Sequence, residues 1–119
     1  MKKITWKKQE LSSFCLEFSL LLKAGMPMAE CFSILEEDEG AAEKKELLQF
    51  LSAKTDEGLS LFAAMQESEA FPDYVLKMVM MGEETGHLEE TFHALSVYYE
   101  TRDQLMQSLK GCLYLIITK

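Results

Sequence analysis

The residues best suited to chemistry lie near the start of the last segment of the chain. Glu90 and His93 form an E-x-x-H pair, the spacing with which di-iron four-helix bundles direct two ligands at one metal ion. Such a site needs a second pair and two further carboxylates, and the sequence contains no second E-x-x-H. A solvated or helix-capping role for this acidic stretch is therefore favoured. A di-metal carboxylate enzyme is kept as the alternative, and Ca²⁺ or Mg²⁺ held between acids of different helices is also left open.

Other catalytic patterns are absent from the sequence. It contains no G-x-S-x-G nucleophile elbow, no phosphate-binding G-x-x-x-x-G-K-[ST] and no G-x-G-x-x-G. The cysteines Cys15, Cys31 and Cys112 are widely spaced, and with two histidines they build no zinc pattern. We therefore expect no catalytic residue, no metal and no cofactor, and we interpret the cysteines as small buried apolar side chains.

Length and composition restrict the classes of function further. The chain has 119 residues and a formal net charge of −8, which excludes a large multidomain enzyme and argues against nucleic acid as a partner. Hydrophobic residues make up 48% and charged residues 27% of the chain, the composition of a folded globule. Helix-forming residues dominate, and glycine and proline are few. The composition predicts an all-α fold.

Apolar residues recur at steps of three and four between glycines and prolines, which divides the chain into six helical segments. Because the connections are short, successive helices are predicted to form a six-helix antiparallel up-down bundle. A pile of repeated helix pairs is the alternative, and the lack of a fixed period disfavours it. Ser60 is predicted to cap the fourth helix, and the last helix is predicted to be the longest.

Two sets of side chains follow from this helical pattern. The predicted core includes Phe18, Phe32, Leu48, Phe62, Phe71 and Phe92. The last helix carries more apolar positions than one face of a bundle needs, which predicts self-association, most simply as a dimer. The candidate residues for that contact are Leu95, Tyr98, Tyr99 and Met106.

The ends of the chain differ from its middle. We expect a basic N-terminal segment at 1–10, a helical bundle at 11–110, and the start of a truncated transmembrane helix at 111–119. The basis for the last is the apolar run from Gly111 to Ile117, preceded by Arg102 and Lys110 as a cytoplasmic flank. The alternative is a strand or helix end packed on the core.

One stretch resembles a known family. Phe71-Pro72, then about nine residues, then Gly82-Glu83-x-x-Gly86-x-Leu88 is similar to the type II secretion system F domain. Three further stretches agree in order, namely Ala24-Gly25-Met26-Pro27, Gly58-Leu59-Ser60-Leu61 and Lys110-Gly111-Cys112-Leu113-Tyr114. The family often has proline after that tyrosine, where this chain has Leu115. The motif residues are Gly25, Pro27, Gly58, Phe71, Pro72, Gly82, Glu83, Gly86 and Leu88.

The resemblance implies a cytoplasmic six-helix domain, usually one of two, in an inner-membrane platform protein that self-associates. It implies a non-enzymatic scaffold that couples a cytoplasmic secretion ATPase to pilin or pseudopilin assembly in type II secretion, type IV pilus or competence systems. Its partners would include other inner-membrane assembly proteins and, through segments beyond this chain, the membrane. A soluble helical adaptor without a membrane segment is the weaker alternative.

The residue types of the main motif suggest a structural role. Gly82 and Gly86 bracket a tight link between the fifth and sixth helices, where positive φ or close helix approach would exclude a Cβ atom. Glu83 is expected to cap the sixth helix or to bind loop amides. Leu88 is expected to anchor the sixth helix in the core.

Overall fold

The fold consists of helices joined by short turns. The computed structural model describes residues 4–100 and places six helices there: α1 Lys8–Lys23, α2 Met28–Asp38, α3 Ala42–Asp56, α4 Leu61–Ser68, α5 Asp73–Thr85 and α6 Leu88–Tyr99. This range contains no strand, so the predicted all-α class is confirmed. Met106, the segment 111–119 and the predicted length of the last helix lie outside the described residues. None of the helices described is both long and apolar enough to cross a membrane.

Each helix packs on the next one in the chain, and α1 makes its most extensive contact with α6. The Ser12 hydroxyl donates a hydrogen bond to the Ser96 carbonyl at 2.8 Å, and both residues are buried. The ring centroids of Phe18 and Phe92 lie 4.6 Å apart between the same helices. The small serine side chains allow the two backbones to approach closely, so the aromatic pair packs tightly beside them.

The core contains five of the six large side chains predicted to lie there, namely Phe18, Phe32, Leu48, Phe71 and Phe92. The prediction for Phe62 is wrong in degree. Phe62 is only partly buried, because it lies in the first turn of α4 and lines an open cavity with Met80 and Glu84. Cys15 and Cys31 are buried free thiols, as predicted, and burial raises the pKa of Cys15 to about 12. Cys112 lies outside the described residues.

The ends of the helices follow the glycine punctuation of the sequence. Gly86 has φ +74°, and the amides of Gly86 and His87 donate to the carbonyls of Glu83 and Gly82. This pattern is the Schellman motif, which needs a left-handed residue after the last helical one. Gly25 and Gly58 end α1 and α3 with the same pair of hydrogen bonds.

The segment before α1 is attached to the bundle through Trp6. The Trp6 Nε1–H donates to the Ala70 carbonyl at 2.8 Å, and the ring stacks on Phe71 with centroids 5.7 Å apart. The Lys44 ammonium lies 5.0 Å from the ring centroid and forms an ion pair with Glu10. These contacts join the segment to α1, α3 and the turn before α5. The predicted domain boundaries at residues 10 and 110 stay predictions.

Candidate functional site

Two side chains from different parts of the chain hold the N-terminus of α4. The Ser60 hydroxyl oxygen accepts from the Ala63 amide at 3.0 Å, which confirms the predicted cap. The Glu83 carboxylate accepts from the Leu61 amide at 2.8 Å through Oε2 and from the Phe62 amide at 2.7 Å through Oε1. The first three amides of α4, which have no partner within a helix, are thereby satisfied. We call Ser60, Glu83 and the three amides they bind the α4 clasp.

The α4 clasp places an acidic side chain against the N-terminus of a helix. The N-terminus of a helix carries partial positive charge, so a carboxylate there is stabilised. Hydrogen bonds to an ionised acceptor are also stronger than bonds between neutral groups. Glu83 therefore fixes the start of a helix of only 8 residues, which would be marginal alone.

Of the two roles expected for Glu83, the cap of α6 is wrong; it does bind backbone amides, but they are the first amides of α4 and not those of the loop before α6. The cap residue of α6 is His87, whose side chain makes no capping hydrogen bond. Gly82 is the residue of α5 that faces α6, and successive helical residues are rotated by about 100° around the axis. Glu83 therefore points away from α6, toward α4, which packs on α5.

Gly82 lies where α5 and α6 approach most closely. A Cβ atom added to Gly82 would lie 2.3 Å from Thr91 Oγ1 and 3.0 Å from Thr91 Cβ. The Thr91 hydroxyl donates to the His87 carbonyl at 2.8 Å, which holds its oxygen at this position. The close approach of α5 and α6 thus explains why Gly82 has no side chain, and the positive φ explains the glycine at Gly86. These are the two explanations that the sequence analysis gives for the motif glycines.

The structure brings part of the motif together and leaves the rest apart. Glu83, in the last part of α5, is bound to the first amides of α4, shortly after Gly58. Phe71 and Pro72 lie at the other end of α5, where Phe71 packs against Trp6. Pro27 precedes α2 directly, and Leu88 is partly buried at the start of α6.

The residues predicted for self-association have different environments. Leu95 is fully buried, so its assignment to a surface is corrected: it belongs to the core. Tyr98 is 57% exposed, Tyr99 is partly buried, and Met106 lies outside the described residues. All the exposed large apolar side chains found in residues 4–100 lie on α1, α5 and α6: Leu16, Leu20, Tyr74, Met80, Met81, Val97 and Tyr98.

The candidate metal pair lies on the surface of α6. Glu90 and His93 line a groove beside α1 together with Leu16, Leu20 and Lys23. In the part of the chain that the structure describes, no three His, Cys, Asp or Glu side chains are grouped closely enough to hold a metal ion. No observation on these residues favours the di-metal alternative.

Two carboxylates near the contact of α1 with α2 and α3 have shifted pKa values. Desolvation raises the pKa of Glu17, and the charges of Asp38 and Glu39 raise it further. The hydrogen bond from Lys44 lowers the pKa of Glu10. The sequence pattern does not predict the environments of these two carboxylates or the contact of Trp6 with Ala70 and Phe71, since they join residues far apart in the chain. The lone tryptophan in a polar segment is the one feature of the sequence that indicates such a contact.

Comparisons with known proteins agree with the motif. Residues 14–117 match the family model described as "Type II secretion system (T2SS), protein F". This match covers most of the chain and includes the α4 clasp, Gly82 and Gly86.

Curated relatives come from both secretion and pilus systems. The chain is 28% identical over 109 residues to the protein transport protein HofC homolog of Escherichia coli. It is 26% identical over 105 residues to the type II secretion system protein F of Vibrio cholerae, and 29% identical over 110 residues to the type IV pilus assembly protein PilC of Thermus thermophilus. The alignments cover 91%, 87% and 90% of this chain but 27%, 26% and 27% of the relatives, so the chain spans about a quarter of their length. By the family match, the chain belongs to the type II secretion system protein F family.

Proposed function

We propose that this chain is the first cytoplasmic domain of an inner-membrane assembly platform. In this role it is a non-enzymatic scaffold that couples a cytoplasmic ATPase to the assembly of pilin or pseudopilin subunits. The observation that carries the proposal is the family match over residues 14–117. Relatives named for secretion and for pilus assembly both align with most of the chain.

The chemistry of the motif residues agrees with a scaffold. Glu83 uses both carboxylate oxygens on backbone amides, while Gly82 and Gly86 serve helix packing and helix termination. These residues therefore determine how α4, α5 and α6 are joined. A domain that transmits force or position between partners needs such fixed joints between its helices.

Self-association is the second part of the proposal. Leu16 and Leu20 of α1 and Val97 of α6 are 41%, 54% and 55% exposed on two helices that pack together. We call these three residues the side face. Apolar side chains exposed on neighbouring helices are typical of a surface that binds another protein, and a second copy of the chain would cover them as a two-fold dimer.

The dimer is tested by sedimentation over a concentration series. Leu20→Glu and Val97→Glu should shift the chain toward monomer. Met81→Glu is the matched control, because Met81 is 53% exposed but lies on α5. A wild-type chain that stays monomeric at high concentration contradicts this part of the proposal.

The platform role is tested in the source bacterium with the full-length gene. Deletion should leave pilin or pseudopilin in the membrane but abolish its assembly, and the wild-type gene should restore assembly. Glu83→Ala should restore it poorly, whereas Glu84→Ala, on the exposed neighbouring residue, should restore it fully. The purified chain should also retain the secretion ATPase of the same genome. Normal assembly in the deletion strain would refute the role.

A further inference from the structure

One end of the described bundle carries a continuous aromatic surface. The ring centroids of Tyr74 and Tyr98 lie 4.5 Å apart, and those of Tyr98 and Tyr99 lie 4.9 Å apart. Tyr99 in turn lines a groove of about 470 Å³ with Trp6 and Pro72. We call these five residues the aromatic end. It contains the 1 tryptophan of the chain and all but one of its 4 tyrosines.

The aromatic end lies where α6 ends, and the apolar run 111–117 follows α6 in the sequence. The bond from Ser12 to Ser96 places the start of α1 beside the end of α6, and the Tyr74–Tyr98 contact places the start of α5 there as well. The end of α6 therefore lies at this surface. In the sequence, Arg102, Asp103 and Lys110 are the next charged residues after Glu100, and the apolar run 111–117 follows them.

Charged side chains of both signs surround the aromatic end. Lys7 and Lys8 are exposed, and the first eight residues contain four lysines and no acid. Glu69 lines the groove, and Asp73 and Glu100 flank the tyrosines in sequence, so the surface is mixed in charge. Much of the net charge of −8 lies elsewhere, as in the acidic end of α2.

These features match the headgroup region of a lipid bilayer. Tryptophan and tyrosine concentrate at membrane–water interfaces, where their apolar rings meet lipid and their polar groups find hydrogen-bond partners. Tyr74 and Tyr98 are exposed there, while the Trp6 Nε1–H already has its partner in the Ala70 carbonyl. Lysines near the surface are attracted to anionic lipids. A protein partner would not explain why the aromatic residues, the lysines and the exit toward an apolar sequence coincide.

We propose that the aromatic end binds the headgroup region of a bilayer containing anionic lipid, with Trp6, Tyr74 and Tyr98 at the interface. The bundle then contacts the membrane through its own surface, in addition to any anchor in the sequence after Glu100. The side face of α1 and α6 stays free for a second copy. The proposal does not depend on the ATPase or on pilin, so a failed deletion experiment would leave it intact.

The single tryptophan provides a direct measurement on the complete 119-residue chain. Vesicles of phosphatidylglycerol and phosphatidylcholine with brominated acyl chains should quench Trp6 emission. In a second protein carrying Trp6→Phe and Met81→Trp, the probe lies near the other end of α5, and its emission should stay unquenched. Unquenched Trp6, or equal quenching of both probes, would overturn the proposal.

Surface variants separate contact by the bundle from anchoring by the apolar run. Tyr74→Ser combined with Tyr98→Ser should lower the quenching of Trp6, whereas Met81→Ser, an exposed apolar change on α5 about two turns from Tyr74, should not. Lys8→Glu should weaken binding to vesicles with phosphatidylglycerol and leave binding to pure phosphatidylcholine unchanged. Thermal melts of each variant establish that it is folded.

Two results would overturn the assignment to lipid. If the tyrosine variant is quenched as strongly as the wild type, the apolar run alone holds the chain at the vesicle. If Trp6 emission changes with protein concentration but not with vesicles, a second copy covers the aromatic end instead.

Discussion

Replacing Glu83 by alanine removes both hydrogen bonds from the first two amides of α4. A bond to a charged group contributes about 1.5–3 kcal/mol, so two fully buried bonds would contribute about 3–6 kcal/mol. Glu83 is only partly buried and lines an open cavity of about 330 Å³, so water can reach the freed amides. We therefore expect a loss at or slightly below the lower limit, about 2–3 kcal/mol.

Two further substitutions test the geometry behind this magnitude. Glu83→Gln keeps one carbonyl oxygen as an acceptor but places an amide nitrogen opposite the second N–H, so about half of the loss should remain. Glu84→Ala changes an exposed neighbour and should alter stability by less than about 0.5 kcal/mol. The order of stability should be wild type and Glu84→Ala, then Glu83→Gln, then Glu83→Ala.

Urea denaturation monitored by circular dichroism measures the order, and hydrogen exchange locates the effect. A loss of about 2 kcal/mol lowers the midpoint of thermal unfolding by roughly 8–16 °C in a domain of this size. Exchange at the Leu61 and Phe62 amides should accelerate in Glu83→Ala more than at α1. If Glu83→Ala and Glu84→Ala unfold at the same midpoint, the α4 clasp contributes nothing and the reasoning fails.

Other predictions use the same denaturation assay or a simple chemical probe. Gly82→Ala should lower the stability by about 1–3 kcal/mol through overpacking. Adding Thr91→Ala to it should restore only part of this loss, because the two Cβ atoms would still lie 3.0 Å apart. Equal stability of Gly82→Ala and wild type would contradict the close approach of α5 and α6. Phe18→Ala should cost about 3–5 kcal/mol, and an unchanged melt would exclude Phe18 from the core. The folded-state pKa of Glu17 is raised, so its charged form destabilises the fold and Glu17→Gln should stabilise the chain at neutral pH. The gain in stability should fade as the pH falls through the folded-state pKa toward the usual value; a gain that grows on acidification would contradict the raised pKa. Cys15 should react with a thiol reagent at pH 8 only after unfolding, because burial raises its pKa to about 12; rapid labelling of the native thiol would contradict its burial.

The sequence predicted the helices well because their ends are encoded locally. A left-handed residue after a helix favours glycine, so Gly25, Gly58 and Gly86 indicate the ends of α1, α3 and α5 without any tertiary information. The Ser60 cap has the same local character, since its hydroxyl binds an amide three residues later. The helix count and the all-α class follow from such signals.

The faces of the helices were predicted less well. Leu95 fits the apolar period of α6, but its assignment to a self-association surface is wrong, because the structure buries it completely. Periodicity identifies an apolar stripe but not which neighbour covers it. Here α6 is covered by α1, the described helix farthest from it in the sequence, and apolar periodicity does not show which helices pair.

The α4 clasp shows where reasoning from the sequence reaches its limit. A glutamate between two glycines near a helix end indicates a cap, and the nearest free helix start along the chain is α6. The structure joins Glu83 instead to amides 21 and 22 residues earlier, because Gly82 turns toward Thr91 and leaves the next side chain facing α4. Gly82 and Glu83 therefore act as one unit, in which the glycine sets the distance from α5 to α6 and the carboxylate ties α5 to α4. A larger residue at Gly82 should shift α5 and weaken the Glu83 hydrogen bonds as well. Hydrogen exchange at the Leu61 amide should therefore accelerate in Gly82→Ala, although that substitution changes neither the Leu61 amide nor the Glu83 carboxylate.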